Sequence, residues 1–272
     1  MPEALTWWQA LILGLVQGIT EWLPISSTAH LRIVPALLGW PDAGTSFSAV
    51  IQLGSLVALL IYFWQDLSQF GLQSWHWLRR KPVDPEVGRL LLGILVGTIP
   101  LLILGLAVKV FLGDPPRQLW VVATTSIGLS VLLALAERWG QRQREIKNLT
   151  LMDAIWVGLA ETVALIPGVS RSGGTLTMGL FLHLKREAAA RYSFLLGIPA
   201  LFLSGMVEFF SNFELSSLSV QLIGTLSAFI FSYLTIDALL KFLQRSSTWV
   251  FIIYRVLLGL AIFVGLGTGI LT

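Results

Sequence analysis

Apolar residues are gathered along the chain into blocks separated by short polar stretches. Six blocks, 47–65, 90–112, 119–136, 193–210, 220–243 and 249–271, are long enough to form helices that cross a bilayer, for which about 20 apolar residues are needed. Two further stretches break in the middle. The block 7–23 runs into Gln-Gly-Ile-Thr-Glu-Trp-Leu-Pro-Ile-Ser-Ser and resumes as 28–40, about two-thirds of a span. The block 152–166 runs into Pro-Gly-Val-Ser-Arg-Ser-Gly-Gly-Thr and resumes as 174–184. Irregular backbone at membrane depth persists only where protein or a wet cavity satisfies it. Each pair is therefore expected to be a re-entrant hairpin of two half-length helices.

The two halves of the chain repeat one another. Pro24 corresponds to Pro167, Ser48 to Ser193, Gly97-Thr98-Ile99 to Gly224-Thr225-Leu226, and Trp120 to Trp249. Each unit holds one hairpin and three spans, so the second unit enters the membrane from the opposite side. The expectation is an all-α integral membrane protein with an inverted-topology repeat, six transmembrane helices and two re-entrant helix hairpins. One membrane domain, 1–272, contains repeat one (about 1–140) and repeat two (about 150–272).

Composition agrees. Mean hydropathy is +0.79, and charged residues make up 12% of the chain, against about 25% in soluble domains. A cytosolic enzyme, a disordered chain and a nucleic-acid binder are excluded. With no cysteine, thiolate metal sites and cysteine nucleophiles are excluded as well. Met1–Gln9 has no basic leader segment and contains Glu3, so no cleavable signal is expected.

The net charge of +3 is a matter of topology. If the first hairpin opens outward, 13 of the 18 Lys and Arg residues fall in inside loops: Arg79, Arg80, Lys81, Arg89, Arg138, Arg142, Arg144, Lys147, Lys185, Arg186, Arg191, Lys241 and Arg245. Only Lys109 and Arg117 fall outside. Basic loops favour the cytoplasmic side, so both termini are expected in the periplasm. Arg32, Arg171 and Arg255 lie in or near membrane segments. A charge at the bilayer centre costs at least about 2.5–3.5 kcal/mol on insertion scales, so these three need a reason.

The chemistry is concentrated in the two broken turns. The first carries Gln17, Glu21, Ser26, Ser27, Thr28 and His30, with Gln17 and Glu21 on one helix face. The second carries Glu161, Ser170, Arg171, Ser172, Gly173, Gly174 and Thr175. Its composition suits an oxyanion: glycines permit close backbone approach and Arg171 offers a planar fork. The P-loop spacing is absent. If the tips meet at mid-depth, an acid, a histidine, hydroxyls and an arginine converge, a set able to perform phosphoryl transfer. Arg171 would stabilise phosphoryl charge, and Glu21 would hold a cation or move a proton. Either His30 attacks or Ser27 attacks with His30 as base. Hard oxygen ligands suit Mg²⁺ or Ca²⁺. The rival class is transport of an anion across the membrane, since inverted repeats with broken helices also build transporters.

Gln17-Gly-Ile-Thr-Glu21-Trp-Leu-Pro-Ile-Ser26-Ser27-Thr-Ala-His30 and Pro167-Gly-Val-Ser170-Arg171-Ser172-Gly-Gly-Thr175 resemble the two signatures of the undecaprenyl-diphosphate phosphatase family of the bacitracin-resistance type. Val50–Gly54, Tyr192–Leu196 and Tyr254-Arg255 resemble further blocks of that family. The resemblance implies a bacterial plasma-membrane enzyme that converts the C55 polyprenyl diphosphate to its monophosphate and so recycles the lipid carrier for cell-wall synthesis. It further implies a divalent cation, a site open to the periplasm and a homodimer. By motif position it marks Glu21, His30 and Arg171 as essential and Ser27, Ser170, Ser172 and Thr175 as site residues. With the chemistry of the turns added, the expected catalytic residues are Glu21, His30, Ser27 and Arg171, and the expected substrate-binding residues are Gln17, Ser26, Ser170, Ser172, Thr175 and Arg255. The family pattern has Glu or Gln where this chain has Gln17. Glu161 stands in the pseudo-equivalent stretch, where Gln is common. The carboxylates assigned to metal are accordingly Glu21 and Glu161, exchanged between hairpins.

Overall fold

The computed structural model describes residues 5–111, 118–212 and 218–271, with backbone alone for residue 109 and residues 207–212. Glu3, Arg117, the side chain of Lys109 and residues 213–217 of the expected outside loop lie outside the described residues. Among the described residues every regular element is helical. In chain order these are α1 (Trp7–Thr20), α2 (Ser27–Leu38), α3 (Gly44–Tyr62), α4 (Trp64–Leu78), α5 (Pro85–Phe111), α6 (Leu119–Trp139), α7 (Leu151–Thr162), α8 (Arg171–Phe181), α9 (Arg186–Asn212), α10 (Leu218–Arg245) and α11 (Trp249–Gly267).

Six of these helices are long and apolar enough to cross a membrane: α3, α5, α6, α9, α10 and α11. They coincide with the six apolar blocks, with shifted ends. α9 begins at Arg186, seven residues before its apolar block, because Glu187-Ala188-Ala189-Ala190 favours helix whatever its hydropathy. The first block stops early, because the backbone breaks at Phe63 (φ −95°, ψ 20°) and restarts as α4. The sequence reading did not anticipate α4. It has no apolar span, Phe70 is its one buried residue, and Asp66 ties it to Arg191 of α9 at 2.6 Å.

α1, α2, α7 and α8 have 14, 12, 12 and 11 residues. At 1.5 Å per residue each is about 16–21 Å long, well short of a 30 Å hydrocarbon core. α1 packs chiefly on α10, and α7 on α5. Both pairs are drawn together by facing glycines. A methyl group on Gly14 of α1 would overlap the Gly224 carbonyl of α10, and one on Gly158 of α7 would overlap the Gly97 carbonyl of α5. Such close approach is how helices associate where lipid removes the hydrophobic drive. Exchanging α1, α2, α3, α5 and α6 for α7, α8, α9, α10 and α11 turns the α1–α10 pair into α7–α5 and the α3–α10 pair into α9–α5, and all four are packed.

The core lies under the first turn. Trp22 is fully buried and meets Phe194 of α9 edge to face, centroids 5.1 Å apart, within a cluster that includes Leu59, Leu195 and Leu196. The turn 21–26 thus rests on α3 and α9 instead of facing solvent.

Candidate active site

The two turns end in serine-capped helices. Ser26 adopts φ +74° and accepts a bond from the Ala29 N–H at the start of α2. A non-glycine residue there is strained. Ser170 does the same for α8 without strain, accepting from the Gly173 N–H at 3.0 Å. Both side chains therefore supply the caps that short helices need. The tips touch directly: Ser172 Oγ donates to the carbonyl oxygens of Leu23 (3.1 Å) and Glu21 (3.3 Å).

The charged pair of the site spans the tips. Arg171 Nη2 is 3.2 Å from Glu21 Oε1. Glu21 Oε2 accepts from Ser27 Oγ at 2.7 Å and from Gln17 Nε2 at 3.1 Å. Arg171 Nη1 donates to the Ser193 carbonyl at 3.4 Å and stands 3.9 Å from Glu161 Oε1. Its guanidinium lies against Gly197 of α9 and 5.8 Å from the Trp22 ring centroid. Glu161 is fully buried, and neither of its carboxylate oxygens has a hydrogen-bond partner.

Glu21, Ser27, Glu161, Ser170 and Arg171 line one cavity of about 180 Å³. A second cavity of about 240 Å³ adjoins it, sharing Ser27, Thr28, Gln52 and Ser204. Its far wall is a polar stripe of α3, Thr45, Ser48 and Gln52, spaced i, i+3, i+7 within an otherwise apolar span. That periodicity was the available signal for these lining residues, which sequence reasoning did not assign to the site.

Four expected site residues, His30, Ser172, Thr175 and Arg255, are not on either cavity wall. His30 Nδ1 is 2.7 Å from the Ser26 carbonyl and Nε2 is 2.6 Å from Tyr254 OH, with the two rings stacked. A carbonyl can only accept, so Nδ1 carries a proton, and in the neutral ring Nε2 accepts from Tyr254. Both ring nitrogens are engaged, and Ser27 is hydrogen-bonded to Glu21 instead. The imidazole is thus held by the first turn and by α11, while Arg171 meets Glu21 across the tips. Arg255 is fully buried and donates to the carbonyls of Pro24 (3.2 Å), Gly168 (3.3 Å), Ser126 (3.3 Å) and Thr125 (3.5 Å). One guanidinium thus joins carbonyls of both tips to the backbone of α6. Thr175 also faces inward, bonding the Arg171 carbonyl (2.9 Å) and the Ser193 hydroxyl.

Among the described residues, several further charges in or near the membrane segments are paired. Arg32 bonds Asp42 at 2.9 Å, and Asp237 bonds Lys241 at 2.7 Å. Glu137, at the end of α6, is held by Arg142, Arg186 and Thr248. None of these residues lines either cavity.

Comparison with known proteins points the same way. A family model described as bacitracin resistance protein BacA matches residues 10–261. The undecaprenyl-diphosphatase of Synechococcus sp. (strain JA-2-3B'a(2-13)) is 66% identical over 265 residues, covering 97% of this chain and 96% of the relative. That of Synechococcus elongatus is 52% identical over 279 residues, covering 99% and 96%. That of Gloeobacter violaceus is 48% identical over 281 residues, covering 100% and 96%.

Proposed function

The chain belongs to the bacitracin resistance protein BacA family, and we propose that it is a membrane-embedded undecaprenyl-diphosphate phosphatase. It releases the terminal phosphate of the lipid diphosphate and returns the monophosphate carrier to cell-wall synthesis, the activity through which its family confers bacitracin resistance. The full-length relatives named undecaprenyl-diphosphatase support this assignment. The observation that carries the chemistry is the Arg171–Glu21–Ser27 chain of contacts. It joins a cation, a carboxylate and a hydroxyl from opposite tips on one cavity wall.

In the proposed mechanism the prenyl tail lies among the apolar helices, and the diphosphate enters the cavity. Arg171, with N–H groups at the start of α8, binds and neutralises phosphate oxygens. Ser27 Oγ attacks the terminal phosphorus in line and passes its proton to Glu21 Oε2. As the new P–O bond forms, the P–O bond to the bridging oxygen breaks, and the lipid monophosphate leaves with that oxygen. Water then cleaves the phosphoserine and regenerates Ser27. The Ser27–Glu21 hydrogen bond favours this order over attack by His30, whose two nitrogens are taken by Ser26 and Tyr254. His30 and Arg255 then act through the tip backbone, as positioning residues.

The cavity wall suits a divalent cation, because two carboxylates line it and those oxygens of Glu161 have no hydrogen-bond donor. Glu21 and Glu161 would hold Mg²⁺ or Ca²⁺, which when bound supplies Lewis-acid charge to phosphate oxygens.

The same reading makes α1–α2 and α7–α8 re-entrant hairpins of an inverted repeat. Their half-span lengths and the interchangeable α1–α10 and α7–α5 pairings support it. Both termini and the mouth of the site face the periplasm, supported by the excess of Lys and Arg in the opposite loops. A homodimer rests on the family resemblance. Transport of a lipid phosphate is the second reading, favoured by the paired half-helices. Phosphate release from C55 polyprenyl diphosphate by the purified protein decides between them. Lipid translocation without release from the wild type would replace hydrolase by carrier.

A further inference from the structure

The cluster beside Ser27 has an imbalance that hydrolysis alone does not explain. Two carboxylates, Glu21 and Glu161, share one guanidinium. Glu21 is bonded on every side: Oε2 by Ser27 and Gln17, Oε1 by Arg171. Glu161 is fully buried with both oxygens bare, and its nearest cation, Arg171 Nη1, is 3.9 Å away, beyond hydrogen-bond range. A buried carboxylate without donors is strongly unfavourable, so this arrangement is incomplete. Gln17 does not complete it, because its amide nitrogen already faces Glu21.

Arg171 is also unfinished. Its Nε has no partner, and its remaining bond, to the Ser193 carbonyl, is long at 3.4 Å. The guanidinium lies against Gly197, where no side chain pins it, and at the first residue of α8. The two oxygens nearest to it, Glu21 Oε1 and Glu161 Oε1, belong to different tips.

We propose that the Arg171 guanidinium is a stand-in for the divalent cation, bridging Glu21 and Glu161 until the ion takes those two carboxylates and frees the guanidinium to turn to the diphosphate. The inference rests on the phosphatase reading and deepens it by giving the site an order of events. With the guanidinium alone and both carboxylates ionised, the three groups sum to one negative charge and repel a diphosphate. With a divalent ion added, they sum to one positive charge and attract it. Charge on the substrate and charge in the site are thereby matched only when both cations are present. Glu161 is the residue that makes the exchange possible, as the carboxylate the guanidinium reaches least well.

The test uses the full-length protein in detergent, with Tb³⁺ as the probe for the cation and luminescence sensitised by nearby tryptophan, Trp22 among them, as readout. Arg171→Gln should bind Tb³⁺ at least about tenfold more tightly than wild type, because it removes the competing cation, although it is inactive. Glu161→Gln should bind at least about tenfold more weakly. Glu145→Gln, in an exposed loop, should match wild type. Unchanged or weaker binding by Arg171→Gln, or wild-type binding by Glu161→Gln, overturns the proposal. Thermal melts establish folding. Should Arg171→Gln fail to fold, Arg171→Lys is expected to bind as tightly as wild type or less tightly, since it keeps a competing charge; should Glu161→Gln fail to fold, Glu161→Asp, whose shorter side chain draws the carboxylate back, is expected to bind less tightly than wild type. The reverse of either ordering overturns the exchange. Phosphate release by wild type is measured in parallel. Its absence would remove the phosphatase reading and leave the Tb³⁺ ordering to be judged separately.

Discussion

Arg171 and Glu21 lie 150 positions apart in sequence, yet the guanidinium stands 3.2 Å from the carboxylate. One opens a helix in the second half of the chain, and the other ends a helix in the first. Their meeting makes a single site out of two broken turns, and the predictions below probe what each neighbour contributes to it.

Arg171→Ala should lower phosphate release by about 10²–10³-fold or more, the range for removing one strong donor to developing charge. The fold should survive, since Ser170 still caps α8. Circular dichroism and a melt check the fold, and a colorimetric phosphate assay the rate. Wild-type turnover would remove Arg171 from the mechanism.

Ser27→Ala should be the more damaging of two neighbouring changes, leaving about 10⁻³ of the rate or less. His30→Gln keeps an amide N–H able to reach the Ser26 carbonyl and should retain more activity than both Ser27→Ala and His30→Ala. If His30→Gln is as inert as His30→Ala while Ser27→Ala turns over, the nucleophile is the imidazole.

Arg255→Met leaves the tip carbonyls of Pro24 and Gly168 without the donor that Arg255 supplies. Each buried unsatisfied group costs about 1–3 kcal/mol, so the melting midpoint should fall by several degrees together with activity. Arg255→Lys should recover part of the stability, because a point charge reaches fewer carbonyls than a planar fork. An unaltered midpoint in Arg255→Met would mean that the clamp is dispensable.

Topology is testable without background, because the chain has no cysteine. Gln118→Cys, ahead of α6, should label with an impermeant maleimide from the periplasm. Gln141→Cys, after α6, should label only once the membrane is opened. The opposite pattern would invert the orientation.

At the loop end of α7, outside the six spans, burial alone would raise the Asp153 carboxyl. Hydrogen bonds from Arg144 and from Thr150 outweigh that burial and hold it below its ordinary value. A carboxylate with a depressed folded-state pKa binds protons more readily when unfolded. Its stabilisation is therefore full above the ordinary carboxylate pKa and is lost as pH falls through the lowered one. Asp153→Asn should be less stable than wild type at neutral pH, and the gap should close on acidification. A gap independent of pH would assign the loss to packing.

The amino-acid order alone specified the six spans, the two interrupted turns and the residue types that crowd them. Hydropathy and proline are local properties, and a 20-residue apolar run has few alternatives once a bilayer is the solvent. Glu21, Ser27 and Arg171 were legible for the same reason, as polar groups in places where polarity is costly. Tertiary packing alone decided where each side chain points. Ser27 and His30 sit three residues apart on α2, yet one turns to Glu21 and the other to Tyr254 of α11. Arg255 reads in sequence as one more membrane charge, and only the gathering of four carbonyls from three places turns it into a clamp. Those carbonyls converge because helices from both halves pack together, a long-range arrangement that no local pattern encodes.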